Sequence, residues 1–119
     1  MNVKFETEII VKLTSNEVFI INEMLSRYEC YLKPHSIDPK FRVSKIMRFN
    51  TSVNAEKHYM DFFYLKVFFS EAIPVLLEMD NEGKSTEKKT CDNFVKFLEF
   101  DVIPVLRGKS VDNMFEKEK

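Results

Sequence analysis

Glycine is nearly missing from this chain of 119 residues, with Gly83 and Gly108 the only two, where average usage of about 7% would supply roughly eight. Phosphate-cradling loops need clustered glycines, because a residue without Cβ lets the backbone turn sharply and approach the phosphate closely. Two glycines 25 positions apart exclude both the dinucleotide fingerprint and the Walker A loop. Cysteine is also scarce: Cys30 and Cys91 are too few for the bridged framework of a small secreted domain. There is no excess of charge of either sign, since 18 Lys plus Arg stand against 19 Asp plus Glu. Bulk electrostatics therefore favour neither polyanions nor an anionic membrane. Long apolar runs are missing too. The most apolar stretch, Tyr59 to Met79, is interrupted by Asp61, Lys66, Glu71 and Glu78, well short of the roughly 18 uncharged residues that a membrane span needs. The opening residues, Met1 to Glu6, carry charge where a secretory signal needs an apolar run. These absences point to a cytoplasmic protein with reduced thiols, no membrane partner and no cofactor.

What is present is hydrophobic mass. At 45% hydrophobic with 12 Phe, the chain can enclose a core, and its length suits one domain. We expect a single globular domain over 1–108 and a polar tail over 109–119. Val3, Phe5, Ile9, Val11 and Leu13 alternate with charged residues, the period of a strand with one buried face. Thr14-Ser15-Asn16-Glu17 then offers a capping box, and Val18, Ile21, Leu25, Tyr28 and Leu32 follow at helical spacing. A helix is expected from about Ser15 to Lys33, ended by Pro34. Phe41 to Phe49 has the aromatic and β-branched content of a second strand. From Asn54 to Met79 the aromatics suit a strand, but Phe62, Leu65, Phe69, Ile73 and Leu76 form a helical stripe; helix is the preferred reading and a hairpin over 42–69 the alternative. A last helix opens at Thr86 or Thr90 and stops at Gly108. The fold class is therefore α+β: an N-terminal β-strand, a capped helix, a second strand or hairpin, then two long C-terminal helices packed on a small sheet.

One internal echo stands out. Ala72-Ile73-Pro74-Val75-Leu76 recurs thirty residues later as Val102-Ile103-Pro104-Val105-Leu106. Two copies are too few for a solenoid. Two kinked helices packed on each other explain the echo, each proline removing one backbone hydrogen bond.

The candidate chemistry is thin. Cys30, His35, His58 and Cys91 are a tetrahedral zinc set by type, but no close Cys-x-x-Cys pair is present, and buried thiols with ordinary histidines explain them better. Glu78, Asp80, Glu82 and Gly83 resemble part of a calcium loop, yet Lys89 falls where a bidentate Glu belongs. No nucleophile elbow appears, and neither histidine has a nearby partner. We expect no enzyme activity.

Two features remain. Between Arg27 and Arg48 six cations face Glu29 and Asp38, a local +4 against −5 for the rest of the chain. Lys40, Phe41, Arg42, Lys45, Arg48 and Phe49 interleave cations with aromatics, the mixture that contacts phosphates and stacks on bases. An edge strand guarded by charge would read the same way. Sixteen Phe and Tyr also strain the capacity of one small core, and aromatics left outside mark interfaces. The leading expectation is a small cytosolic, non-enzymatic protein-interaction module, an adaptor or inhibitor of regulatory type, that binds another protein and self-associates as a homodimer. The alternative is a nucleic-acid-binding regulator using residues 40–48.

Overall fold

The computed structural model describes residues 1–5, 8–50, 54–79 and 85–106, so the expected tail and residues 80–84 of the calcium-like loop lie outside the described residues. The fold is α+β. Strands β1 (Asn2–Phe5), β2 (Glu8–Lys12) and β3 (Ile46–Asn50) form one antiparallel sheet in the order β1-β2-β3. Helix α1 (Ser15–Arg27) follows β2, and α2 (Ala55–Val67), α3 (Ile73–Met79) and α4 (Ser85–Phe97) follow β3.

The N-terminal alternation belongs to two strands rather than one. Phe5 pairs with Ile9 and Val3 with Val11, so paired residues share the same parity and the odd-numbered apolar series resumes in phase after the reversal. Side-chain period alone cannot separate such a hairpin from one long strand. Ile9 and Val11 are fully buried in the central strand, while β3 alternates between half-buried and exposed positions at the edge. That edge is guarded: Ser44 Oγ donates to the Ile46 carbonyl at 3.0 Å, and Arg48 pairs across the strands with Glu8 at 3.1 Å.

The capping box forms as the sequence implies. Glu17 N–H donates to Thr14 Oγ1 at 3.2 Å, and Thr14 N–H donates to Glu17 Oε1 at 2.7 Å. Helix α1 ends at Arg27, six residues before the expected stop. Tyr28 leaves helical geometry, and two 3-10 turns, Glu29–Tyr31 and Lys33–His35, carry the chain on. Because those turns keep the right-handed winding, Tyr28 and Leu32 still reach the core. The second strand is shorter than Phe41 to Phe49, since residues 41–44 are irregular and only Ile46–Asn50 pairs.

Residues 55–79 are helical, which removes the hairpin alternative. Between α2 and α3 the chain makes a wide π turn, Phe68–Ala72, closed by Ile73 N–H donating to Phe68 O. The same turn recurs at Leu98–Val102, closed by Ile103 N–H on Leu98 O, before helical residues 103–106. Each wide turn ends two residues before a proline. In a regular helix the ring of Pro74 or Pro104 would strike the carbonyl four residues back, and opening the preceding turn relieves that clash. The first wide turn packs against α4 and the second against α2: Phe69 meets Phe94 edge-on with ring centroids 5.1 Å apart, and Phe68 meets His35 in the same way at 5.1 Å. Both helices cover the sheet face that carries Ile9 and Val11, closing one continuous core.

Candidate functional site

The segment after α1 is built by local hydrogen bonding. Ile37 N–H donates to Leu32 O and Ser36 N–H to Lys33 O, each at 3.0 Å, the paired bonds of a helix-ending Schellman motif. That motif places Ser36 at φ 64, a left-handed position usually given to glycine. Asp38-Pro39-Lys40-Phe41 then turns. Phe41 N–H donates to Asp38 O at 2.9 Å, and Lys40 N–H donates to the Asp38 carboxylate at 2.9 Å, with proline where a β-turn favours it.

The basic and aromatic residues of this segment end in different places. The Arg42 guanidinium turns onto the backbone, donating to Pro39 O at 3.1 Å and Phe41 O at 2.6 Å. Phe41 and Phe49 are half-buried and packed against the core, Phe49 lying edge-on to Phe62 at 5.1 Å. Arg48 is paired with Glu8. Lys40 and Lys45 are exposed and form no ion pair among the described residues. Since residues 41–44 are not a strand, Lys40, Arg42 and Arg48 do not line one strand face. The positive stretch is further drawn into the fold at Arg27, which pairs with Glu23 at 2.8 Å and stands 3.9 Å from Glu87 on α4.

Asn22 organises this loop and the sequence does not announce it. From the middle of α1 its side chain donates to Val43 O at 2.9 Å and accepts from Val43 N–H at 2.8 Å. The amide thereby supplies both bonds that a neighbouring strand would have given Val43, which is buried in an irregular stretch. A mid-helix Asn at a polar position looks like any solvated residue.

Between this loop and α2 lies a cavity of about 340 Å³. The loop contributes Ser36, Ile37, Asp38 and Phe41, and α2 contributes Lys57, Asp61 and Leu65. Spacing of four puts the three α2 residues on one stripe. Neither Lys57 nor Asp61 has an ion pair or hydrogen bond among the described residues.

Two large aromatics stand in solvent. Phe19 on the outer face of α1 is 66% exposed and Phe100 on the second wide turn is 68% exposed; Phe19 stands in a shallow depression with Val18, Asn22 and Glu23. The four residues of the tetrahedral set do not gather: Cys30 is exposed, Cys91 is buried, and His35 and His58 pack on Phe68 and Phe49. Burial, with Asp92 and Glu87 adding to it, pushes the Cys91 thiol up to about 12, so it stays protonated and inert near neutral pH. Among the described residues no helix is long and apolar enough to cross a membrane. No protein-family model, curated protein or solved structure matches the chain.

Proposed function

We propose that this is a small cytoplasmic protein-interaction module, of adaptor or inhibitor type, that works without catalysis and associates with itself as a homodimer. The observation that carries the reading is Phe100. Every buried position of the first long helix has its equivalent 29 residues later in the second: Phe62 with Cys91, Leu65 with Phe94, Phe68 with Phe97, Phe69 with Leu98, Ile73 with Val102 and Leu77 with Leu106. At that spacing Phe100 answers to Glu71, and both positions are exposed. The fold places a carboxylate there in one helix and is indifferent to it, so a phenylalanine in the other serves the exterior. Phe19, on the outer face of α1, is a second such residue. Aromatic side chains are enriched at the centres of protein contact surfaces.

The nucleic-acid reading is weaker on the same geometry, because the rings of Phe41 and Phe49 pack inward and Arg42 and Arg48 are engaged within the chain. Light scattering coupled to size exclusion tests the proposal. We expect a two-chain mass at tens of micromolar, and a strictly one-chain mass removes the homodimer. Retardation of DNA or RNA probes at low salt, lost on changing Lys40 and Lys45 to Ala, would transfer the function to nucleic acid.

A further inference from the structure

The cavity between the Ser36–Phe41 loop and α2 has a mixed lining that the protein-binding reading does not use. Its volume of about 340 Å³ falls at the lower end of small-molecule sites, which run from about 300 to 1,000 Å³. Its floor is apolar: Ile37 and Leu65 are buried and Phe41 is half-buried. Its walls carry charge of both signs. Lys57 and Asp61 stand one helical turn apart, about 6 Å along the axis of α2, and Leu65 continues the same stripe inward. Asp38 faces them from the loop, one of its oxygens already accepting from Lys40 N–H.

An ammonium and a carboxylate four residues apart on a helix can pair, although Lys ahead of Asp is the weaker order and both side chains here are exposed. Here neither Lys57 nor Asp61 has a partner among the described residues, although both line the same concave space. A ligand with one charge would leave one of them unanswered, whereas a ligand with both charges and an apolar body would meet every group on the wall and floor. We propose that this cavity binds a free α-amino acid with an apolar side chain, its ammonium held by Asp61 and Asp38, its carboxylate by Lys57, and its side chain against Ile37, Phe41 and Leu65. A peptide terminus does not fit the description, since it carries only one of the two charges.

The loop wall is held rigidly enough to serve. Ser36 is fixed by the paired bonds from Ser36 N–H and Ile37 N–H, and Asp38 by its turn, so the site is largely formed before ligand arrives, which limits the ordering cost of binding.

Calorimetric titration with leucine and phenylalanine, beside their N-acetyl and carboxamide derivatives, tests the assignment. The free amino acids should bind, and each capped form, lacking one charge, should bind at least tenfold more weakly. Asp61→Asn should abolish the discrimination against the N-acetyl form, and Lys57→Gln the discrimination against the carboxamide; both residues are exposed or on the cavity rim, and circular dichroism verifies that each variant folds. No binding at millimolar concentration, equal binding of all three forms, or binding of the carboxamide alone would each overturn the proposal. The site is independent of self-association: a dimer that ignores amino acids overturns this inference only, and a monomer that binds them overturns only the reading above.

Discussion

The two long C-terminal helices carry the same wide turn and the same Ile-Pro-Val-Leu sequence thirty residues apart, but they bury positions twenty-nine apart. One residue of difference is about 100° of rotation on a helix. The tetrapeptide is therefore presented to the core at two different angles. Ile73 is fully buried and Ile103 only half-buried, while Leu76 is half-buried and Leu106 is 1% exposed. Proline position fixes where each helix must widen, because the clash it relieves is a backbone matter. The neighbours fix which side faces inward: α2 lies against the second wide turn, whereas α4 lies against the first and also packs on α1 through Arg27 and Glu87. Local sequence sets the shape of a helix and tertiary contact sets its rotation, and a repeat can preserve the first without the second.

The comparison breaks most easily at its identical residues. Ile73→Ala should lower the unfolding free energy by about 3 kcal/mol, as burial at 0% implies, and Ile103→Ala by about 1 kcal/mol. Urea titrations of both variants measure the gap, and equal losses would show that the two tetrapeptides face the core alike. A control outside the pair is Asn22→Ala, which strands the Val43 N–H and carbonyl and should lose about 2 kcal/mol in the same assay; a loss within about 0.5 kcal/mol would mean that water replaces the clamp.

The third test sharpens the contrast at one buried position, held by Phe62 in the first helix and by ionisable Cys91 in the second. Folding raises the Cys91 thiol from its ordinary value of 9.0 to about 12. Its proton is therefore bound more tightly in the native state, so the stability it contributes is intact below pH 9 and is lost as pH climbs through the window toward 12. The slope should be about 1.4 kcal/mol per pH unit there, visible as a falling urea midpoint between pH 9 and 11 that is flatter in Cys91→Ala. Near neutral pH, iodoacetamide should label exposed Cys30 and spare Cys91.

Much of this architecture is written locally. The capping box at Thr14 and Glu17 and the stripe through Phe62, Leu65, Phe69 and Ile73 depend on residues close in sequence, and they read directly as helices. The echo around Pro74 and Pro104 likewise points to two kinked helices, and what each helix carries is a wide turn ahead of its proline. Other features depend on partners far along the chain. The reversal between β1 and β2 was hidden because pairing Phe5 with Ile9 preserves parity. The role of Asn22 needs Val43, and the cavity needs Asp38 brought opposite Asp61, neither of which spacing can express. The basic and aromatic segment was visible as composition, but hydrogen bonding decided that Arg42 would turn onto Pro39 and Phe41 carbonyls while Lys40 and Lys45 stayed in water.

Phe100 joins the fold to the proposed function, because the burial pattern assigns it to solvent and its chemistry suits a contact. Phe100→Glu gives the second helix the residue that the first carries at Glu71. The deciding measurement takes that variant and the parent protein through light scattering at tens of micromolar and through urea unfolding at a dilution where both are single chains. The account requires the two-chain mass to collapse to one while the unfolding free energy stays within about 0.5 kcal/mol of the parent. An unchanged mass would take Phe100 out of the contact, and a loss of about 2 kcal/mol or more would place it in the core; either contradicts the account.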